Sequence, residues 1–228
     1  MASPDLEAWL PAALGLLAPR RLERVLACGV GISGARHLAT AVGRDGHLVV
    51  VMAPGDAARQ LAELDLPHVQ VLAHAWTGNE RFGTFDALLL VAAAGPVPPL
   101  GAFGDLARSN LRPGGRFVMD VPGEDLLPIL SLACADLGWS KARTATLHGL
   151  DDAALADALR GAGLRNVHPV LGGHLVSVAA GDLVGAFAAT LQLDPAEQRE
   201  LTHALIRRQG STEPFGVMMH RTRVTALR

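Results

Sequence analysis

The stretch from Arg24 to Ala41 most constrains what this chain can fold into. It opens with a short apolar run, Val25 to Cys28, bends through Gly29, Gly31 and Gly34, and leaves with Leu38, Ala39 and Val42 at helical spacing. A strand, a tight glycine turn and a helix follow from that order. Such a unit lets a ligand lie against bare backbone at the positive end of a helix. The three glycines also satisfy the spacing G-x-G-x-x-G, which is used to hold dinucleotides but which also marks any close strand-to-helix turn.

Around this unit, apolar runs alternate with amphipathic ones. Leu6 to Leu17 reads as a helix ending near Pro19. Strands are predicted at His47–Met52, Val69–Ala73, Phe85–Ala92 and Arg116–Val121. Helices are predicted at Asp56–Leu64, Phe103–Leu111 and Asp125–Leu137, with Pro128 in the first turn of the last. A Gly/Pro-rich connection covers Gly95 to Pro99. The alternation predicts a doubly wound, mostly parallel sheet with right-handed crossovers. Its ligand crevice should lie beyond the carboxyl ends of the first and fourth strands. In the last third, Asp151–Ala162, Asp182–Leu191 and Pro195–Gln209 read as helices, the last capped by Asp194. Val167–Ala179 reads as a strand broken at Gly172-Gly173, and Phe215–Leu227 as a final strand.

With 228 residues, the chain suits one domain: an N-terminal helix (1–20), a nucleotide-binding-type core (24–137) and a C-terminal part on the substrate side (150–228). Its net charge of −2, without a basic run, argues against nucleic acid as a partner. No apolar run reaches membrane-span length. Asp5 and Glu7, without a basic leader, argue against a signal peptide, so a cytoplasmic protein is expected. Cys28 and Cys134 fit neither a disulfide framework nor a metal site, and none of the nine histidines forms a ligand pair at metal-binding spacing. His74 and His174 border the expected crevice, where a structural or solvated role is favoured for each.

In three further places the sequence resembles the class I S-adenosylmethionine-dependent methyltransferases. Leu111-Arg112-Pro113-Gly114-Gly115-Arg116 resembles the turn before that family's fifth strand, and Phe85-Asp86-Ala87-Leu88-Leu89 its fourth strand. Leu159 to Val167 resembles its late helix–Ala-Gly–strand segment. The resemblance implies a seven-stranded sheet in the order 3-2-1-4-5-7-6 with the last strand antiparallel, and S-adenosylmethionine as cofactor. Carried over position by position, the cofactor-binding candidates are Gly29, Gly31, Gly34, Met52, Ala53, His74, Ala75 and Trp76.

Three acidic residues of the family pattern are absent, and one glycine position differs. The acidic residue expected two positions before the first glycine is Ala27. The one that grips the ribose hydroxyls after the second strand is Met52, followed by Ala53. The one near the adenine amino group falls in His74-Ala75-Trp76. The third glycine position of the family's pattern is Ser33, beside Gly34. Hydrogen bonds to a carboxylate are worth about 1.5–3 kcal/mol each. Losing a two-bond ribose grip therefore costs on the order of 10²–10⁴ in affinity. Asp56 either replaces the lost carboxylate or merely favours its helix dipole, the second being the simpler reading. Trp76 either stacks on a flat ligand or closes the core.

Three functions remain: a small-molecule methyltransferase with a weakened cofactor grip, an inactive methyltransferase-fold interaction module, and an NAD(P)-binding oxidoreductase. The third lacks an acidic residue or an arginine pair after the second strand. The catalytic residues, methyl acceptor and oligomeric state are not specified by any motif.

Overall fold

The computed structural model describes residues 10–92 and 98–228. The predicted start of the first helix, at Leu6, and most of the Gly95–Pro99 connection lie outside them.

The elements run α1 (Leu10–Leu17), β1 (Arg24–Cys28), α2 (Ile32–Val42), β2 (His47–Met52), α3 (Asp56–Ala62), β3 (Val69–Ala73) and β4 (Phe85–Val91). They continue through α4 (Leu100–Asn110), β5 (Leu111–Pro122), α5 (Pro128–Asp136), α6 (Asp152–Gly161) and β6 (Arg165–Val178). The chain ends with α7 (Ala180–Phe187), α8 (Pro195–Gln209) and β7 (Phe215–Leu227). The seven strands form one sheet in the order β3-β2-β1-β4-β5-β7-β6. All pairs are parallel except those made by β7, which runs antiparallel to both β5 and β6. The order and the antiparallel strand are those implied by the resemblance.

The central strands are nearly continuous apolar runs because both faces are covered. Val25, Ala27, Leu48, Val50 and Leu89 join one cluster with residues of α1, α2 and α3. Leu26, Cys28, Val49, Val51 and Leu90 join a second with residues of α4 and α6. A third cluster draws on α5, α7 and α8 and on Val178, Val217 and Met219 of the paired strands β6 and β7. Since β6 runs in the same direction as β5, its carboxyl end delivers α7 to the edge of the sheet where the crevice is expected.

Local chemistry explains several boundaries. Asp194 and Glu197 form a reciprocal capping box at the start of α8, and Gly210 closes it in the left-handed conformation. Asp151 caps α6 by accepting from the Ala154 amide. Arg116 donates to the carbonyls of Leu17 and Ala18 and forms a two-point ion pair with Glu23, tying the end of α1 to β5.

Two strand boundaries differ from expectation. β5 begins at Leu111, not Arg116, because the Arg112–Gly115 turn stays attached to the sheet: the Gly114 amide donates to the Arg228 carbonyl and the Arg228 amide to that of Gly115. β6 is unbroken at Gly172-Gly173, where the ladder continues as Gly172↔Arg221 and Gly173↔His220. The glycines there make room for neighbours. A Cβ on Gly172 would lie 2.7 Å from the Arg223 guanidinium, and one on Gly173 2.6 Å from the Met218 sulfur.

Several helices are also shorter than read, or shifted. α3 stops at Ala62, α5 starts at Pro128 with Leu127 as its cap, and α7 spans Ala180–Phe187. α4 begins at Leu100, earlier than Phe103.

Candidate functional site

The carboxyl ends of β1, β2, β3 and β4 meet at the glycine turn. Gly29 leaves β1 with φ +75°, and its amide donates to the Val51 carbonyl over 2.8 Å. A Cβ at Gly29 would sit 2.0 Å from the Val91 carbonyl oxygen at the end of β4. Only glycine fits that crossing. Gly31 then serves as N-cap of α2, with no side-chain capping bond and no acidic residue in the first turn. Among the described residues no side chain caps the first-turn amides of Ile32, Ser33 and Gly34, at the positive end of an 11-residue helix.

Gly34 has a different job. It is buried, and a Cβ there would approach Leu10 of α1 to 2.5 Å, so its smallness lets two helices pack.

Met52 ends β2 beside this turn and is 8% exposed. The His74 amide donates to its carbonyl over 2.9 Å, which draws the segment after β3 against the segment after β2. Gly29, Met52 and His74 are thus neighbours. Ala53 and Ala75 are exposed beside them. Trp76 is half-buried and turns toward α4, its ring 5.6 Å from that of Phe103. Ala27 is fully buried within the apolar layer under α1 and α2. Asp56 is exposed and pairs with Arg59 one turn along α3. His174 lies in the β6–β7 ladder opposite Met219.

The carboxylate that the sequence reading missed is Glu80. Its side chain lies 3.5 Å from the His74 Nε2 atom and is 16% exposed. It accepts from the Thr77 amide at 2.6 Å, the Thr77 hydroxyl at 2.8 Å and the Gly78 amide at 2.8 Å. Burial pushes its pKa up, but these donors outweigh burial and hold it at about 2. Thr77-Gly78-Asn79-Glu80 has the spacing of a carboxylate folding back on its own turn, which was the available signal. The segment is braced by the buried Asn110, which accepts from the Phe82 amide and donates to the Glu80 carbonyl.

A second missed group stands at the other side of the β4 end. Asp120, fully buried in β5, accepts from Arg221 Nε at 2.5 Å and from Arg223 Nε at 2.8 Å. Arg221 also donates to the Ala92 carbonyl at 2.7 Å, fixing the residue where β4 gives out. Burial lowers the Arg221 pKa, and Asp120 partly opposes that effect. Two of the three motifs that carried the resemblance are joined by Asp86, which accepts from the Arg24 amide at 2.7 Å and pairs with Arg112 at 2.8 Å. This contact lies at the amino ends of β1 and β4, so it fastens strands and does not line the crevice.

Both cysteines are buried free thiols, and burial raises the pKa of each. Among the described residues no three His, Cys, Asp or Glu side chains are grouped to hold a metal ion. Among the same residues no helix is long and apolar enough to cross a membrane.

No family model matches the chain. Over 76 residues it is 37% identical to protein-L-isoaspartate O-methyltransferase of Vibrio vulnificus, a match spanning 33% of this chain and 34% of that protein. The chain thus matches about a third of that relative's length. Among solved structures, it is similar to the YcgJ protein of Bacillus subtilis, with a TM-score of 0.65 at 13% identity, covering 96% of this chain and 98% of that one. It is also similar to geranyl diphosphate C-methyltransferase of Streptomyces coelicolor A3(2), with a TM-score of 0.55 at 15% identity and coverage of 97% and 80%. Coclaurine N-methyltransferase gives a TM-score of 0.53 at 12% identity, with coverage of 97% and 72%. The chain has the Rossmann-like fold of the class I S-adenosylmethionine-dependent methyltransferases.

Proposed function

We propose that the chain is an S-adenosylmethionine-dependent methyltransferase acting on a small molecule, with a cofactor grip weaker than is usual for its fold. One observation carries this reading. The Gly29 turn brings the uncapped N-terminus of α2 to the carboxyl ends of β1 and β4 in a 3-2-1-4-5-7-6 sheet. The residues fit the cofactor in part. The α2 amides, at a positive helix end, suit its methionine carboxylate. Met52 and Ala53 stand where ribose hydroxyls would lie, and offer no more than a weak sulfur acceptor. His74, Ala75 and Trp76 would flank the adenine, with Glu80 nearby.

When bound, the cofactor supplies an activated methyl group. The chain's part is to hold donor and acceptor in line and to exclude water. Proximity and alignment alone lower the barrier substantially, so the lack of an evident base is compatible with this chemistry. The chain acts in this reading as one unit over residues 1–228, with α7 and α8 closing the substrate side. The S. coelicolor and coclaurine enzymes are named for small acceptors, which supports an acceptor of that class. On composition, we place the protein in the cytoplasm, with neither nucleic acid nor membrane as partner.

An interaction module that has lost the cofactor is the second reading. It is favoured by Ala27 and Met52, by Asp56 being spent on Arg59, and by Glu80 being occupied by three donors. Thermal-shift measurements with S-adenosylmethionine, its demethylated product, NAD and NADP separate the readings. A ligand at about 100 times its dissociation constant stabilises by about 2.7 kcal/mol. We expect the first two compounds, at millimolar concentration, to raise the melting temperature and the nucleotides to leave it unchanged. No shift with any of them favours the module, and a shift with NAD or NADP alone favours the oxidoreductase.

A further inference from the structure

At the opposite end of the sheet from the crevice, α2 and residues 64–68 before β3 line an open groove of about 530 Å³. That size lies within the usual range for small-molecule sites, about 300–1,000 Å³. It is four residues along β2 from Met52, since the His68 carbonyl accepts from the Leu48 amide, or roughly 13 Å at strand rise.

Its walls are chemically lopsided. Ala39, Leu64 and Leu66 supply an apolar floor. Arg36, Thr40, Arg44 and His68 supply the polar part, and among the described residues no carboxylate lines the groove. Arg21 adds to this charge, with its Nε 3.7 Å from where a Cβ on Gly43 would lie. The acidic residues next in sequence, Asp45, Glu63 and Asp65, are exposed and outside the wall. Glu23 is engaged by Arg116.

His68 faces the same wall. Its Nε2 lies 3.2 Å from the Ala39 carbonyl, so that nitrogen carries the proton and donates. The other ring nitrogen, Nδ1, is buried and has no hydrogen-bond partner among the described residues. With Nε2 donating, Nδ1 is an acceptor, which a hydroxyl or amide proton would satisfy and a carboxylate would not.

We propose that this groove binds a small amphiphilic carboxylate, with its apolar body on Ala39, Leu64 and Leu66 and its carboxylate between Arg36 and Arg44. Arginine forks suit a carboxylate, and an uncharged apolar molecule would leave them unused. The site touches none of the crevice residues, so it stands whether or not the cofactor binds.

The test is an amide NMR titration of the full chain with sodium octanoate below its micellar range, with 1-octanol and sodium acetate as separate arms. Octanoate should give saturable shifts at Ala39, Thr40, Leu64 and His68. Octanol and acetate should each bind at least about tenfold more weakly, one lacking the charge and the other the apolar body. Arg36→Gln with Arg44→Gln should weaken octanoate at least about tenfold. Leu66→Glu, which sets a negative charge in the floor, should abolish binding. Circular dichroism confirms that each variant is folded, and both sites being near the surface makes at least one folded variant available. Unsaturable shifts, shifts mapping elsewhere, octanol binding as tightly as octanoate, or unchanged affinity in a folded variant would each overturn the proposal.

Discussion

Gly29 is irreplaceable for two separate reasons, a left-handed backbone and a carbonyl 2.0 Å from where a Cβ would be. Gly29→Ala is therefore expected to lose at least about 2 kcal/mol of stability, read as a shift of the urea midpoint. A loss under about 0.5 kcal/mol, the ordinary surface value, would mean that the turn relaxes freely. Glu80 makes a pH-dependent prediction. Its pKa falls from an ordinary 4.5 to about 2 in the folded chain, so its stabilising effect is complete above about pH 4.5 and fades as pH drops toward 2. Glu80→Gln should lower the urea midpoint at pH 7, and the gap to the parent should narrow by pH 2.5. A gap that stays constant would show that the Thr77 and Gly78 donors do not select the ionised form. At this scale the sequence was legible where chemistry is local. The glycine turn, the Asp194 cap and the exposed, helix-start role of Asp56 follow from neighbours within a few residues. Glu80 is less legible because it stands in the turn beyond the position directly after β3, where Thr77 and Gly78 supply its donors.

Among elements, the least legible feature is the Asp120–Arg221–Arg223 cluster. Its partners lie 101 and 103 residues apart and meet only because β7 returns antiparallel to β5. Read singly, each is one charged residue in a strand. Together they join the carboxyl ends of β4 and β5 to the middle of β7 beside the crevice. Asp120→Asn removes the charge that compensates the buried arginines, and we expect it to cost about 3–5 kcal/mol in denaturant unfolding. Replacing Asp120 and Arg221 together by Leu and Met should recover much of that loss, because the penalty lies in the orphaned charge. A single variant that loses less than about 1 kcal/mol would show that the cluster does not hold this corner. The continuous β6 teaches a related lesson. Gly172 and Gly173 look like a break in isolation, yet they admit Arg223 and Met218 from the partner strand. Such a role is invisible until the pairing register is known.

For the molecule as a whole, strand order was legible because ordered motifs, and not any one of them, specified it. Phe85-Asp86 and the Leu111–Arg116 turn are now seen to be fastened to each other and to β1 through Asp86 and Arg112. A fold-wide resemblance therefore rested on contacts that build the scaffold. In the proposed reading, what the scaffold holds is decided by a few residues at the crevice, where Met52 would stand in place of an acid. The consequence is measurable by calorimetry with S-adenosylmethionine on the parent and on Met52→Glu, in one buffer, with both variants shown to be folded. The parent should bind with a dissociation constant on the order of 100 μM or weaker. The new carboxylate, beside Gly29 and His74, should tighten binding by at most about 2–4 kcal/mol, reduced by the cost of desolvating its charge. Low-micromolar binding by the parent would contradict the weakened grip, and a folded variant that binds no better would contradict the placement of the ribose at Met52.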